Sequence, residues 1–145
     1  MKRKYSHTFF GAGLLAFMIT PAAAIDGYTP ITEAAAVQKV LSDAGFVQKR
    51  TVFSYYRGDG IMAEINTDYD FTTVRHWKVG DDGKLCFYVL KKPDHLIDCV
   101  VLHRSNSDAN AYYVTWPEGS GYPVLPANSV PQKLHDELGK VAVSN

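Results

Sequence analysis

From residue 51 onward apolar and polar residues alternate with a period of two, the repeat of a β-strand with one covered face. Residues 52–57 predict a strand, Gly58-Asp59-Gly60 a tight turn, and residues 61–66 a second strand with Ile61, Ala63 and Ile65 on one side. Thr67-Asp68 turns the chain again. Tyr69, Phe71, Thr73, Arg75 and Trp77 then alternate with Asp70, Thr72, Val74, His76 and Lys78, which predicts a long third strand. Two further runs, 84–91 and 97–104, are apolar on both parities, as in strands covered on both sides. Residues 111–116 predict a last strand after a polar loop at 105–110. Regularly spaced turns between short strands indicate an antiparallel meander of about six strands, either a curved sheet or a small closed barrel.

The runs at 84–91 and 97–104 each carry one of the only two cysteines, Cys86 and Cys99. They predict a hairpin stapled by a disulfide, with Lys92-Pro93-Asp94-His95 as its turn. Proline lacks an N–H and fixes φ, which places Pro93 in the turn and in neither strand. Direct pairing of the cysteines would put proline badly in a tight type I turn. A longer or bulged loop is expected, with the cysteines as much as one step off direct opposition. Closing a loop of about 14 residues stabilises by roughly 3 kcal/mol in the chain-entropy account.

Around the strands the period changes to that of a helix. Thr32 predicts an N-cap with Glu33 in the first turn; Val37, Val40, Leu41 and Ala44 form one apolar stripe, and Gly45 is a natural stop. This is an amphipathic N-terminal helix of about three turns, whose stripe packs on the sheet. Residues 117–126 read as irregular. Ser129 and Gln132 have capping-box spacing, and Val130, Leu134 and Leu138 share a face before Gly139, predicting a short C-terminal helix. The fold class is α+β.

Residues 1–24 have the grammar of a secretory signal: Lys2, Arg3 and Lys4, an apolar stretch at 9–19, Pro21, then Ala22-Ala23-Ala24 as a small-x-small cleavage site. The apolar stretch is too short for a stable membrane-spanning helix. Cleavage near Ala24 leaves residues 25–145 as a single exported domain without a membrane span, placed in the periplasm, where a disulfide is stable. The three basic residues leave with the signal, so 15 become 12 against 15 acidic ones, a formal net charge of −3. That balance argues against nucleic acid as a partner.

Chemistry-bearing patterns are sparse. Asn106, Asp108 and Asn110 match the first oxygens of a calcium loop, but Ala111 stands where glycine is needed and Pro117 where a bidentate Glu is needed. Asp68 and Asp70 with Asp81 and Asp82 would gather carboxylates only if their turns met at one sheet end. His76, His95, His103 and His135 form no H-x-H, H-x-x-x-H or Cys/His cluster, so no metal or other cofactor is indicated. No catalytic residue is indicated either, there being no nucleophile elbow or phosphate loop. Aromatic residues are the remaining signal, with eight tyrosines after residue 24 and adjacent pairs at Tyr55-Tyr56 and Tyr112-Tyr113. Neighbours in a strand face opposite ways. Tyr56, Tyr113, Trp116 and Tyr122 are the expected binding surface, weighed against ordinary cross-strand packing.

Trp77-x-Val79, Gly83-x-Leu85-Cys86-Phe87, Cys99 and His103-Arg104 together resemble a family of small secreted Gram-negative proteins of unknown function with the core G-x-W-x-V…G-x-L-C-F…C…H-R. The likeness spans residues 51–115; Arg75 stands at the glycine position, and His-Arg lies one residue further from its Cys. Residues 32–85 are also similar to periplasmic PepSY-type domains, through the helix, Ala44-Gly45-Phe46 and Asp82-Gly83-Lys84. The first resemblance implies compartment and fold but no activity; the second implies peptidase modulation. The expected function is a non-catalytic exported module binding a protein, peptide or envelope component. The alternatives are a small hydrolase using scattered Asp and His, or a PepSY-like modulator.

Overall fold

The computed structural model describes residues 25–142, so the signal-like segment lies outside the described residues. Nine strands and two short helices follow one another in the order β1 (Tyr28–Pro30), α1 (Ala34–Leu41), β2 (Ala44–Gln48), β3 (Val52–Arg57), β4 (Ile61–Asn66), β5 (Phe71–Val79), β6 (Leu85–Val89), β7 (Lys92–Ser105), β8 (Tyr112–Thr115), β9 (Gly121–Pro126) and α2 (Gln132–Gly139). The strands run antiparallel in the order β1-β7-β6-β5-β4-β3-β2-β9-β8, and β8 pairs back onto β7. Strands β2 to β9 therefore close an eight-stranded barrel, and β1 lies along β7 beyond the end of β6. Of the two forms the sequence allowed, the closed one is observed.

Alternation explains which residues fill it. Phe46, Tyr56, Met62, Trp77, Leu85, Phe87, Val100, Leu102, Tyr112, Val114 and Val124 form one buried cluster, and each sits on the inward parity of its strand. An eight-stranded barrel has an interior just wide enough for side chains to fill. Val37 and Leu41 of α1 join that cluster, so the helix stops the barrel end where Gly58–Gly60 and Gly80–Lys84 turn. The opposite parity of β4 (Ile61, Ala63, Ile65) is also apolar because α2 lies over it with Leu134 and Leu138. Val130 packs in the same cluster.

Helix α1 does not open the domain, since β1 precedes it, and it plugs a barrel end in place of covering a sheet face. It is shorter than its stripe implied. Its N-cap is Glu33, not Thr32, and neither helix has a side-chain cap, so Ser129 does not cap α2. Asp43 (φ 56°) turns the chain, and Ala44 and Gly45 belong to β2. Gly45 is there for space: a Cβ would stand 2.6 Å from Val130 Cγ1.

Residues 121–126, read as irregular, form β9. Its prolines fall where one flank is unpaired, because pairing with β8 stops at Val124 and pairing with β2 begins at Leu125. Pro93 is likewise inside β7. Register shifts on both sides of Tyr88 leave the residues between Lys92 and Leu96 bulged out of the ladder, where a missing N–H costs nothing. The cysteines sit in direct opposition, Cys86 against Cys99, and are bonded, with Cα atoms 4.0 Å apart.

Candidate functional site

The barrel is plugged by apolar side chains at the α1 end and becomes polar toward the other. Inward positions of β2 and β3 near that end carry Gln48, Val52 and Ser54; β4 carries Glu64, β5 Thr73 and Arg75, and β9 Tyr122. A cavity of about 30 Å³ runs among Leu41, Tyr56, Ser54, Glu64, Gln48 and Tyr122, with the apolar side chains of β6 to β9 as its far wall. That is room for about two water molecules.

Register fixes the charged pair. Glu64 lies opposite Thr73 and Arg75 opposite Met62, so the two are diagonal neighbours on one face. Such positions are roughly 7–8 Å apart. Among the described residues neither side chain makes an ion pair with the other or with a third group. Burial pushes the Glu64 carboxyl above the usual carboxylate range, with the Arg75 charge opposing. Burial, then the charge of Glu64, pushes the Tyr122 hydroxyl up to about 12, again against Arg75. Tyr56, deeper in the lumen, is raised further by its burial. These responses place Glu64, Arg75, Tyr122 and Tyr56 within one electrostatic neighbourhood.

Three of the four aromatic residues expected on a common outer surface belong to the lumen instead. Tyr56 is a lumen residue, 9% exposed, packed edge-on against Phe46 and Trp77. Its neighbour Tyr55 takes the outer face, against His135. Tyr122 and Trp116 are half-buried and pack against the lumen cluster. Only Tyr113 faces outward, its ring 5.4 Å from that of Tyr28. Phe71 shares the parity of Arg75 and stands at the rim, 64% exposed.

The other candidate groups are dispersed. His76 Nε2 donates to the Leu90 carbonyl at 3.0 Å, and His103 Nε2 lies 2.9 Å from Thr115 Oγ1 while its buried Nδ1 has no partner. Asp70 pairs with Lys133, and Asp98 accepts the Cys99 N–H. Among the described residues no carboxylate pairs with either histidine. Asp68 and Asp70 turn the chain at one barrel end and Asp81 and Asp82 at the other, as successive turns of a meander must. Asn106 accepts from Thr29, and Asp108 accepts the Asn110 N–H, an ordinary polar turn. Among the described residues no three His, Cys, Asp or Glu side chains converge as a metal site, and no helix is long and apolar enough to cross a membrane.

Sequence reasoning missed Glu64 and Arg75. The available signal was that Glu64 and Arg75 follow directly on Met62 and Trp77 along the inward parity of β4 and β5. No protein-family model, curated protein or solved structure matches the chain.

Proposed function

We propose that the protein is an exported periplasmic binding module, without catalytic activity of its own, that takes a small ligand at the polar end of its barrel. The observation that carries this is the set Glu64, Tyr122, Gln48 and Ser54 lining one cavity, with Arg75 diagonal to Glu64 on the same inner face and neither charge in an ion pair among the described residues. Charged groups in a barrel interior are costly unless something compensates them. A ligand that does so is the economical reason for keeping them.

Two further features support the reading. A disulfide is at home in an oxidising compartment outside the cytoplasm, and residues 1–24 supply the export signal. His76 and His103 are engaged by a carbonyl and a hydroxyl, which favours binding over hydrolysis. The ligand site lies inside the barrel end, not on the outer sheet face.

Titrating the isotope-labelled exported chain with the low-molecular-mass fraction of a periplasmic extract tests this by amide chemical shifts. Shifts concentrated on β4, β5 and β9 near Glu64, Arg75 and Tyr122, lost in Glu64→Gln/Arg75→Gln, are expected. Shifts confined to the outer face around Tyr55 and Tyr113 contradict it.

A further inference from the structure

We infer that the tip of the β8–β9 hairpin, residues 116–122, is a flap that gates the lumen-end site just described, and the inference rests on that site. With the flap closed the cavity measures about 30 Å³, room for about two water molecules. A ligand of more than a few heavy atoms therefore enters only when part of the wall moves. Strands β3, β4 and β5 cannot move alone, because each is laddered to a neighbour on both flanks. The tip of the β8–β9 hairpin has a strand partner on neither flank.

Proline stops both seams beside it. Along β7–β8 the Ser105 N–H donates to the Ala111 carbonyl at 2.9 Å, which sets the phase of the ladder. Hydrogen-bonded pairs then fall at His103–Tyr113 and Val101–Thr115, and the next would be Cys99–Pro117. Pro117 has no N–H to give, and the Cys99 N–H that would face it donates to Asp98 Oδ1 at 2.7 Å. Along β2–β9 the Ala127 N–H on the Gly45 carbonyl sets the phase, Val47–Leu125 follows, and the next would be Lys49–Pro123. Pro123 again lacks the donor, and Lys49 has left the extended conformation (φ 51°). The tip keeps its own hairpin bonds, from the Trp116 N–H to the Ser120 carbonyl at 2.8 Å and from the Gly119 N–H to the Trp116 carbonyl at 3.0 Å. Those bonds travel with it. What holds it on the barrel is a latch of two half-buried rings, Trp116 and Tyr122, packed against the lumen cluster, with Tyr122 in the cavity wall. Apolar contact is non-directional, so such a latch opens and reseats without breaking a ladder.

Amide relaxation dispersion on the unliganded, disulfide-intact exported chain tests the flap, since lids of this kind open on the microsecond-to-millisecond timescale that it detects. Trp116 to Tyr122 and the lumen residues Gln48, Ser54 and Glu64 are expected to share one exchange rate, with the seam pairs Val101–Thr115 and Val47–Leu125 free of it. Trp116→Ala removes one ring of the latch and is expected to raise the open population roughly fivefold or more. Pro117→Val restores a donor opposite Cys99 and is expected to lower it by about the same factor. A tip without exchange in the unmodified chain overturns the flap, whether or not the variants fold. So does exchange spread evenly through both seams, which is opening of the barrel itself. If the tip is rigid and the periplasmic fraction still moves the lumen amides, the gate falls and the binding reading stands. An exchanging tip over a lumen that the fraction never moves overturns both, because a gate needs something to admit.

Discussion

Single residues here are fixed by what stands next to them more than by their own preferences. Gly83 (φ 77°) is pressed on the chain before α1: a Cβ would lie 2.5 Å from the Thr32 carbonyl oxygen and 2.6 Å from its carbon. Backbone does not give way as a flexible side chain does. Gly83→Ala should destabilise by about 1–3 kcal/mol, read as a lowered midpoint in denaturant unfolding.

Glu64 makes stability depend on pH. Its folded proton affinity exceeds the ordinary value of 4.5, so between that value and the raised one the folded state holds more protons than the unfolded state. Stability therefore falls as pH rises through this window and stays reduced above it. Glu64→Gln should raise the melting temperature at neutral pH and leave it unchanged below about pH 4. His103 acts from the other side. Burial lowers its proton affinity from the ordinary 6.5, so below that pH the unfolded state gains protons that the fold refuses, and stability falls with acidification.

At the scale of elements, the stapled hairpin and the β3–β4 hairpin were legible because their parity was clean and their turns carried glycine, proline or aspartate. Strand β2 was not, for two physical reasons. The α1 stripe of Val37, Val40 and Leu41 continues in phase through Ala44, so the periodicity ran past the helix end. The turn after β2 uses Lys49 (φ 51°) and Arg50 (φ 65°) in the left-handed region, where a sequence ordinarily announces itself with Asn or Gly. Replacing them with Asn and Gly should stabilise by roughly 1 kcal/mol, measured by thermal unfolding. The site was less legible than the fold, because Glu64 and Arg75 meet only through the β4–β5 register, and the parity of Tyr55-Tyr56 depends on which face α2 covers.

Helix α2 is held at its end by Arg57. The guanidinium donates to the Leu138 carbonyl at 2.7 Å, pairs with Asp59 at 2.7 Å, and so neutralises a helix C-terminus. Arg57→Ala should cost about 1–3 kcal/mol. Loss of protection from hydrogen exchange in α2, with the lumen amides unaffected, would show that the cost lies in docking this helix.

For the whole molecule, closure turns an amphipathic meander into a container. Two seams close it, four residue pairs between β7 and β8 and two between β2 and β9, the latter extended by the Ala127 N–H on the Gly45 carbonyl at 2.9 Å. Opening either seam would leave Glu64 and Arg75 on an exposed sheet, where their charges would be solvated. Cys86 and Cys99 fasten β6 to β7 on the outer face, next to the bulge that swings the start of β7 away from the ladder. Reduction should cost roughly 3 kcal/mol of stability without changing the strand order.

The most direct test of closure is a through-space proton contact experiment across the shorter seam. Contacts between Val47 and Leu125, together with slow exchange of the Ala127 amide, are the result the barrel predicts. Their absence, with fast-exchanging amides along β2 as on a free sheet edge, would mean an open sheet and would remove the lumen on which the proposed site depends.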